Sequence, residues 1–262
     1  MSEHRLQRER ELPGILGQIS GQLRGQLEDF HRALEALSPP DAGPAIDQRA
    51  APLWRSYFRL LRLAGNLAGL GREVRLANDD LVGLCRAVAD RAALPAELLG
   101  LRLEFRCGRA SHIAAVDAGL LERLLLNLLS NAFRFTPQGG SVVLEVRPER
   151  EWVRLTVSDT GPGLGAAVFD RPPGDRLPAP PPHGLGLGLP LCRQIAQGHG
   201  GSLVLSSGGS GGTTAILSLP NRRVKDQAAA LWEVDLYGGY NQTLVELADA
   251  LPEQAFTRRF LD

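Results

Sequence analysis

The chain has 262 residues, enough for one large domain or two modest ones. Its 29 Lys and Arg are matched by 29 Asp and Glu, which argues against a general nucleic-acid or anionic-membrane surface, because either needs a basic excess. Cys85, Cys107 and Cys192 are odd in number and lack C-x-x-C spacing, so reduced, buried thiols are expected. No apolar run reaches the ~18 residues of a membrane span. The N-terminal "MSEHRLQRERELPG" is charged and has no signal-peptide apolar core. The expectation is a cytoplasmic chain with no membrane span and no nucleic-acid partner.

From Glu11 to Leu37, apolar side chains fall at Leu12, Leu16, Ile19, Leu23, Leu27, Phe30, Leu34 and Leu37. Steps of three and four make a heptad-like seam, the mark of a helix buried against other helices. "SPPDAGP" breaks that helix. A second helical run over 46–70 repeats Leu53, Tyr57, Leu60, Ala64 and Leu67. Two amphipathic helices joined by a short turn form a hairpin with exposed apolar stripes. Pairing two hairpins in a four-helix bundle covers them, which predicts a homodimer.

After Asp80 the pattern changes. A helix "DLVGLCRAVADRAAL" precedes a strand "LRLEFRC", an apolar helix spans 118–133, and strands "SVVLEVRP" and "WVRLTVSD" follow. A Gly/Pro-rich loop runs to His183, a helix covers 187–197, and strands "GSLVLSS" and "TTAILSLP" close the region. Helices mixed with hairpin-like strands predict an α+β sandwich. The segments are 1–78 (helical), 79–220 (α+β) and 221–262, an extension with a strand or turn over 231–240 and an amphipathic helix over 242–251 that packs on the domain or docks a partner.

Three motifs in the α+β region carry chemistry. In "NLLSNAFRFTPQGG", Asn127 and Asn131 share a helix face one turn apart. Carboxamide oxygens there suit magnesium, and Arg134 suits a phosphate; asparagines that only cap or solubilise the helix are the plain alternative. In "SDTGPG", Asp159 ends a strand before Gly161 and Gly163. A carboxylate so placed can accept from an exocyclic amine while the backbone comes close; an ordinary D-x-G turn is the alternative. In "HGLGLGLPLCRQIAQGHGG", Gly184, Gly186 and Gly188 lead into a helix. Unpaired N–H groups at a helix start favour phosphate, although this is neither the dinucleotide spacing nor a P-loop.

In order and spacing, residues 117–220 resemble the ATP-binding domain of bacterial sensor histidine kinases, within the GHKL family that includes type II topoisomerase and heat-shock chaperone ATPases. "DAGLLERLLLNLLSNAFRFTPQGG" reads like its N box, "DTGPG" like its G1 box, and "GLGLGL" with "HGG" like its G2 box. The resemblance implies a two-layer sandwich that binds ATP and Mg2+. It implies that Asn131 holds magnesium with Asn127 in support, that Arg134 meets phosphate and that Phe135 packs near the nucleotide. Asp159 would accept from the adenine amino group, Thr213 would contact the same region, and Gly161 and Gly163 would shape the pocket. Gly184, Leu185, Gly186, Leu187, Gly188 and Leu189 would border the triphosphate. The segment between Gly163 and Gly184 departs from the family's lid: only "VFD" is similar to the usual phenylalanine-rich box, and prolines crowd the rest. Such a proline-rich lid is expected to close differently on ATP. His183 is expected to be an exposed loop residue and His199 a helix C-terminal contact, with no zinc site.

The helical hairpin resembles the dimerisation and phosphoacceptor domain of the same kinases, whose first helix reads S-H-E-L-R-T-P-L. Here it reads "SGQLRGQL": Ser20, Leu23, Arg24 and Leu27 match, but Gly21 stands at the phosphoacceptor position and Gln22 at the adjacent acid. A phosphoacceptor needs a nucleophilic imidazole and a carboxylate to take up its proton, and neither is present. Gly25 stands where the family carries a residue that positions water for phosphatase action. Glycines four apart also allow close helix packing, which is the bland reading of the same stretch.

Three readings follow. The first is an ATP-binding, histidine-kinase-like protein of two-component signalling that does not autophosphorylate at the usual site and acts through a response regulator or another signalling protein. The second is an active kinase with another acceptor, His31 or a partner protein. His31 lies about 15 Å along the helix from Gly21 at ~1.5 Å per residue. The third is a dimeric interaction module with a vestigial nucleotide pocket.

Overall fold

The computed structural model describes residues 2–39, 43–70, 72–163, 186–207, 211–225 and 241–257, with only the backbone described over 2–16. The described residues fall into two compact units. One holds the chain up to Glu73 with residues 241–248 and 252–257; the other holds residues from Val74 to 225 with Asp249–Leu251. The stretches expected to form the lid and the strand or turn over 231–240 lie outside the described residues, as do His183, Gly184 and Leu185.

In the helical unit, α1 (Ser2–Leu37) and α2 (Pro44–Gly69) form the expected hairpin. The helices run antiparallel: Ser20 Oγ donates to the Ala64 carbonyl at 2.9 Å, and Phe30 meets Tyr57 edge-on, 6.0 Å between centroids. α1 begins well before Glu11, because the charged Glu, Arg and Gln residues upstream are good helix formers that apolar periodicity does not register. Pro44, at the start of α2, brings a helical φ where no N–H is needed.

The inward faces match the expected seams at Leu27, Leu34, Tyr57 and Ala64 and depart from them elsewhere. On α1 the buried line is Ser20, Leu27 and Leu34, one heptad apart, whereas Ile19 and Leu37 are exposed. On α2 it is Trp54, Tyr57, Phe58, Leu61 and Ala64, whereas Ile46, Leu53 and Leu60 are exposed. α2 thus carries two apolar stripes. One is covered within the chain, by α1 and by the C-terminal α6 (Gln242–Leu247) with the 3-10 helix Glu253–Phe256. Phe256 packs 5.6 Å from Phe58, Arg55 pairs with Glu253, and the buried Arg62 pairs with the fully buried Glu246 at 3.2 Å. The single helix expected over 242–251 stops at Leu247; Pro252 disfavours helical backbone in the residue before it.

The other unit is α+β. A five-stranded sheet is ordered β2 (Arg102–Cys107), β4 (Ser141–Pro148), β5 (Trp152–Asp159), β7 (Thr213–Pro220) and β6 (Ser202–Ser207). β2 runs parallel to β4 and the remaining pairs are antiparallel. A two-stranded ribbon joins β1 (Ala77–Asp80) to β3 (Ile113–Val116). Val142, Leu144, Val146, Val153, Leu155, Val157, Ala215, Leu217 and Leu219 are buried, and the registers Leu144↔Val157 and Leu155↔Leu217 place them on one face.

Helices α3 (Leu81–Leu98), α4 (Ala118–Phe135) and α5 (Gly188–Gly198) complete this unit. α4 is apolar nearly all round: Leu120, Leu121, Leu124, Leu125, Leu126, Leu128 and Leu129 are all buried, as a helix enclosed by sheet and neighbouring helices requires. Asp80 caps α3 by accepting from Val82 N–H, and Asp117 caps α4 by accepting from Leu120 N–H. Cys85 and Cys192 are buried and Cys107 is half-buried; burial pushes the Cys85 thiol far above its ordinary range. No described helix is long and apolar enough to cross a membrane.

Candidate nucleotide site

Asp159 ends β5, paired with Val142 of β4. Its Oδ1 accepts from the Gly161 N–H at 2.8 Å and the Thr213 N–H at 3.2 Å. The carboxylate is therefore held by one oxygen between the turn after β5 and the start of β7. Gly161 is a contact point: a Cβ there would stand 2.6 Å from the Phe135 carbonyl oxygen and 2.9 Å from Asp159 Oδ1. Gly163 has φ +80 and lies against Ser207 Oγ, which donates to the Gly212 carbonyl at 3.0 Å. Gly212 N–H returns to the Gly161 carbonyl at 2.7 Å. Ser207 carries no signal of its own in the sequence, whereas Gly212 lies in "GGTTAILSLP", which is similar to the family's closing segment.

α4 supplies the next wall. Asn127 is fully buried and its Nδ2 donates to the Arg123 carbonyl at 3.1 Å. Its Oδ1 would lie 2.8 Å from a Cβ at Gly188, so the glycine run meets α4 at this carboxamide. Asn131, one turn on, is half-buried. Of the two carboxamides it is the one with access to a ligand, and a single hard oxygen suits a magnesium ion whose remaining ligands are water and phosphate. Arg134 places its guanidinium 5.3 Å from the exposed Phe135 ring.

α5 starts differently from α3 and α4. Gly186, with φ +68, and Leu187 lead into Gly188 with no side-chain cap and no acid in the first turn. Among the described residues, its first N–H groups have no capping carboxylate of the kind that serves the other two helices. The structure brings together Asn127 with Gly188, and Phe135, Asp159, Gly161, Gly163 and Thr213 with one another, and Asn131 and Arg134 lie on the helix that joins the two groups.

His199 is the C-cap of α5, the helix C-terminal contact expected from the sequence, and it is buried. Its Nε2 accepts the Asp117 N–H at 3.0 Å, so Nδ1 carries the proton and donates to the Ile195 carbonyl at 2.8 Å. Burial lowers its pKa, opposed by the Ile195 carbonyl and the Asp117 carboxylate. Asp117 also accepts from the Arg75 and Leu120 N–H groups.

The same residues define a known class of domain. Residues 116–223 match the family of histidine kinase-, DNA gyrase B-, and HSP90-like ATPases, and the described residues have its two-layer α+β form. Among sequence relatives, adaptive-response sensory kinase SasA of Synechococcus sp. (strain JA-2-3B'a(2-13)) is 34% identical over 158 residues, 58% of this chain and 41% of SasA. Sensor protein DivL of Caulobacter vibrioides is 32% identical over 220 residues, 79% of this chain and 28% of DivL. The chain thus spans less than half the length of these relatives. Full-length ShkA, solved in complex with AMPPNP, superposes with TM-score 0.65 at 23% identity, covering 81% of this chain and 46% of ShkA. Histidine kinase ThkA, solved with response regulator TrrA, gives TM-score 0.57 at 17% identity over 85% of this chain and 67% of that one. Residues 116–223 form an ATPase domain of the histidine kinase-, DNA gyrase B- and HSP90-like family, and the helical hairpin that precedes it gives the chain the fold of the histidine kinases ShkA and ThkA.

Proposed function

We propose that the α+β unit binds Mg-ATP and that the chain signals without phosphorylating position 21. The observation that carries the nucleotide reading is the Asp159 carboxylate, fixed through Oδ1 by two backbone amides. Among the described residues the acid is oriented by main-chain amides, and it is suited to an exocyclic amine. The uncapped start of α5 and the Asn131 carboxamide suit the triphosphate and its metal. Binding supplies magnesium as a counter-charge to the phosphates; the chain's own residues orient the base, the phosphates and the ion.

The loss of autophosphorylation follows from α1. Gly21 and Gln22 are exposed, so the position faces outward, but it offers no nitrogen to attack phosphorus and no carboxylate to accept a proton. The exposed Ile46, Leu53 and Leu60 stripe, heptad-spaced on α2, supports pairing with a second copy. A response regulator or another signalling protein is the class of partner this dimer would address.

One observation favours an alternative acceptor. His31 Nε2 pairs with Glu35 Oε1 at 3.3 Å, and its ring stacks on Tyr57. This supplies the imidazole and carboxylate missing at 21 and 22. Calorimetry with Mg-ATP tests the pocket: Asp159→Asn is expected to weaken binding by roughly 10- to 100-fold, and a native chain that binds no ATP would sink the proposal. Incubation with γ-labelled ATP, alone and with response regulators, tests transfer. No label is expected; acid-labile label that disappears in His31→Gln would establish the second reading in its place.

A further inference from the structure

The proposed nucleotide site has two ends built on different elements. The adenine end, Asp159 with Gly161 and Thr213, is tied together across β5 and β7. The triphosphate end depends on how α5 lies along α4, since Gly188 begins one helix and Asn131 rides on the other. Three contacts fix that relation. Gly188 lies against Asn127 Oδ1, Cys192 Sγ approaches the Leu124 carbonyl at 3.7 Å, and His199 Nε2 takes the Asp117 N–H at 3.0 Å. The helices therefore run antiparallel, with His199 clamping the end of α5 farthest from the glycines.

We propose that His199 is a positioning residue for the triphosphate end of the site, acting through α5. The Asp117 amide precedes α4, so no earlier turn of that helix supplies its acceptor. His199 is that acceptor, and it is 2% exposed, so water does not replace it. A helix of this length is a lever of about 16 Å at ~1.5 Å per residue. Losing the clamp at its far end shifts the direction of the N–H groups at Gly188. The inference rests on the nucleotide reading of the site.

Two carboxamide variants separate the clamp from bulk stability. His199→Gln sets its side-chain oxygen at the bond distance of Nε2 and can still accept from Asp117. His199→Asn reaches only as far as Nδ1, so it keeps a donor for Ile195 and loses the Asp117 bond. The full chain is titrated with Mg-ATP and, separately, with adenosine. His199→Asn is expected to lose about tenfold or more in Mg-ATP affinity, with adenosine affinity kept within about twofold and His199→Gln close to native for both ligands. Equal losses of ATP and adenosine, no loss in His199→Asn, or a His199→Gln variant as weak as His199→Asn would each overturn the proposal. If His199→Asn does not fold, the His199→Gln result alone decides it. A native chain that binds neither ligand removes the nucleotide reading itself, an outcome distinct from those three.

Discussion

The glycines of the two units stand in opposite surroundings. In the α+β unit, a Cβ at Gly161 would meet the Phe135 carbonyl at 2.6 Å, one at Gly188 would meet Asn127 Oδ1 at 2.8 Å, and one at Gly201 would meet the Ser218 carbonyl at 2.1 Å. In α1, a Cβ at Gly17, Gly21 or Gly25 would meet nothing within 4 Å. The first set are glycines because no side chain fits. The second set sit in a helix interior at a cost of about 1 kcal/mol each relative to Ala, with no close approach among the described residues to offset it. Close packing of α1 against α2 therefore does not account for "SGQLRGQL", and the absent phosphoacceptor side chain is the stronger reading of it.

The helical unit does not tolerate change everywhere, and its most sensitive point is the buried pair of Arg62 and Glu246. Glu246→Ala removes a fully buried carboxylate that pairs with Arg62, whose own side chain is 7% exposed. Breaking such a pair costs about 3–5 kcal/mol. Urea unfolding followed by far-UV circular dichroism should show an early loss of helix; an unchanged midpoint would mean that the C-terminal elements do not hold α2. Next in size, Gly161→Ala and Gly188→Ala each force a backbone or side-chain shift, expected to cost about 1–3 kcal/mol and to weaken Mg-ATP binding. Gly161→Ala should weaken adenosine as well. If either variant is neutral, the crowding around these glycines is not what keeps them.

A pH effect comes third, and it belongs to the α+β unit alone. His199 is held neutral: a proton on Nε2 would meet the Asp117 amide hydrogen, and burial lowers its pKa. The unfolded chain then binds this proton more readily than the folded one. The contribution is fully present above the ordinary histidine pKa of about 6.5 and is lost as pH falls through the lowered folded value. The Asp117 carboxylate is the charged group that faces the ring and moderates the shift. The melting temperature of the α+β unit should fall on mild acidification, and His199→Gln should remove that dependence.

Much of the α+β unit was legible because its signals are local. The Asn127–Asn131 spacing, the D-x-G-x-G turn and the glycine run into α5 each lie within a few residues. What was not legible depends on distant partners. The parallel pairing of β2 with β4 and the ribbon of β1 with β3 join short strands across intervening helices, which no alternation pattern encodes. The His199–Asp117 bond spans 82 residues. In the hairpin the expected seams were right at Leu27, Leu34, Tyr57 and Ala64, which are buried, and wrong at Ile19, Leu37, Leu53 and Leu60, which are exposed. Two stripes overlap on α2, and Trp54, Phe58 and Leu61 rather than Leu53 and Leu60 turned out to be covered, by α1 and by residues from the far end of the chain. Ser20 escaped notice as an inward residue because a hydroxyl reads as polar until its bond to Ala64 is seen.

The smallest expected effect is at the glycines of α1. Gly21→Ala and Gly25→Ala fill open space on exposed helix, so each should stabilise the helical unit by about 0.4–1 kcal/mol, chiefly by narrowing the unfolded ensemble. The sharper measurement is association. If analytical ultracentrifugation shows the same assembly for native and double-alanine chains, the glycines are neutral to packing both inside the chain and between copies. If the alanines instead break a dimer, the space around Gly21 and Gly25 is filled by a second α1, and these glycines join the crowded class of Gly161 and Gly188. In that case the absent histidine would follow from helix approach rather than from lost phosphotransfer, and installing a histidine by Gly21→His with Gln22→Glu would disrupt the dimer instead of restoring an acceptor. In the first case the same pair of substitutions should leave the dimer intact and take up label from γ-labelled ATP.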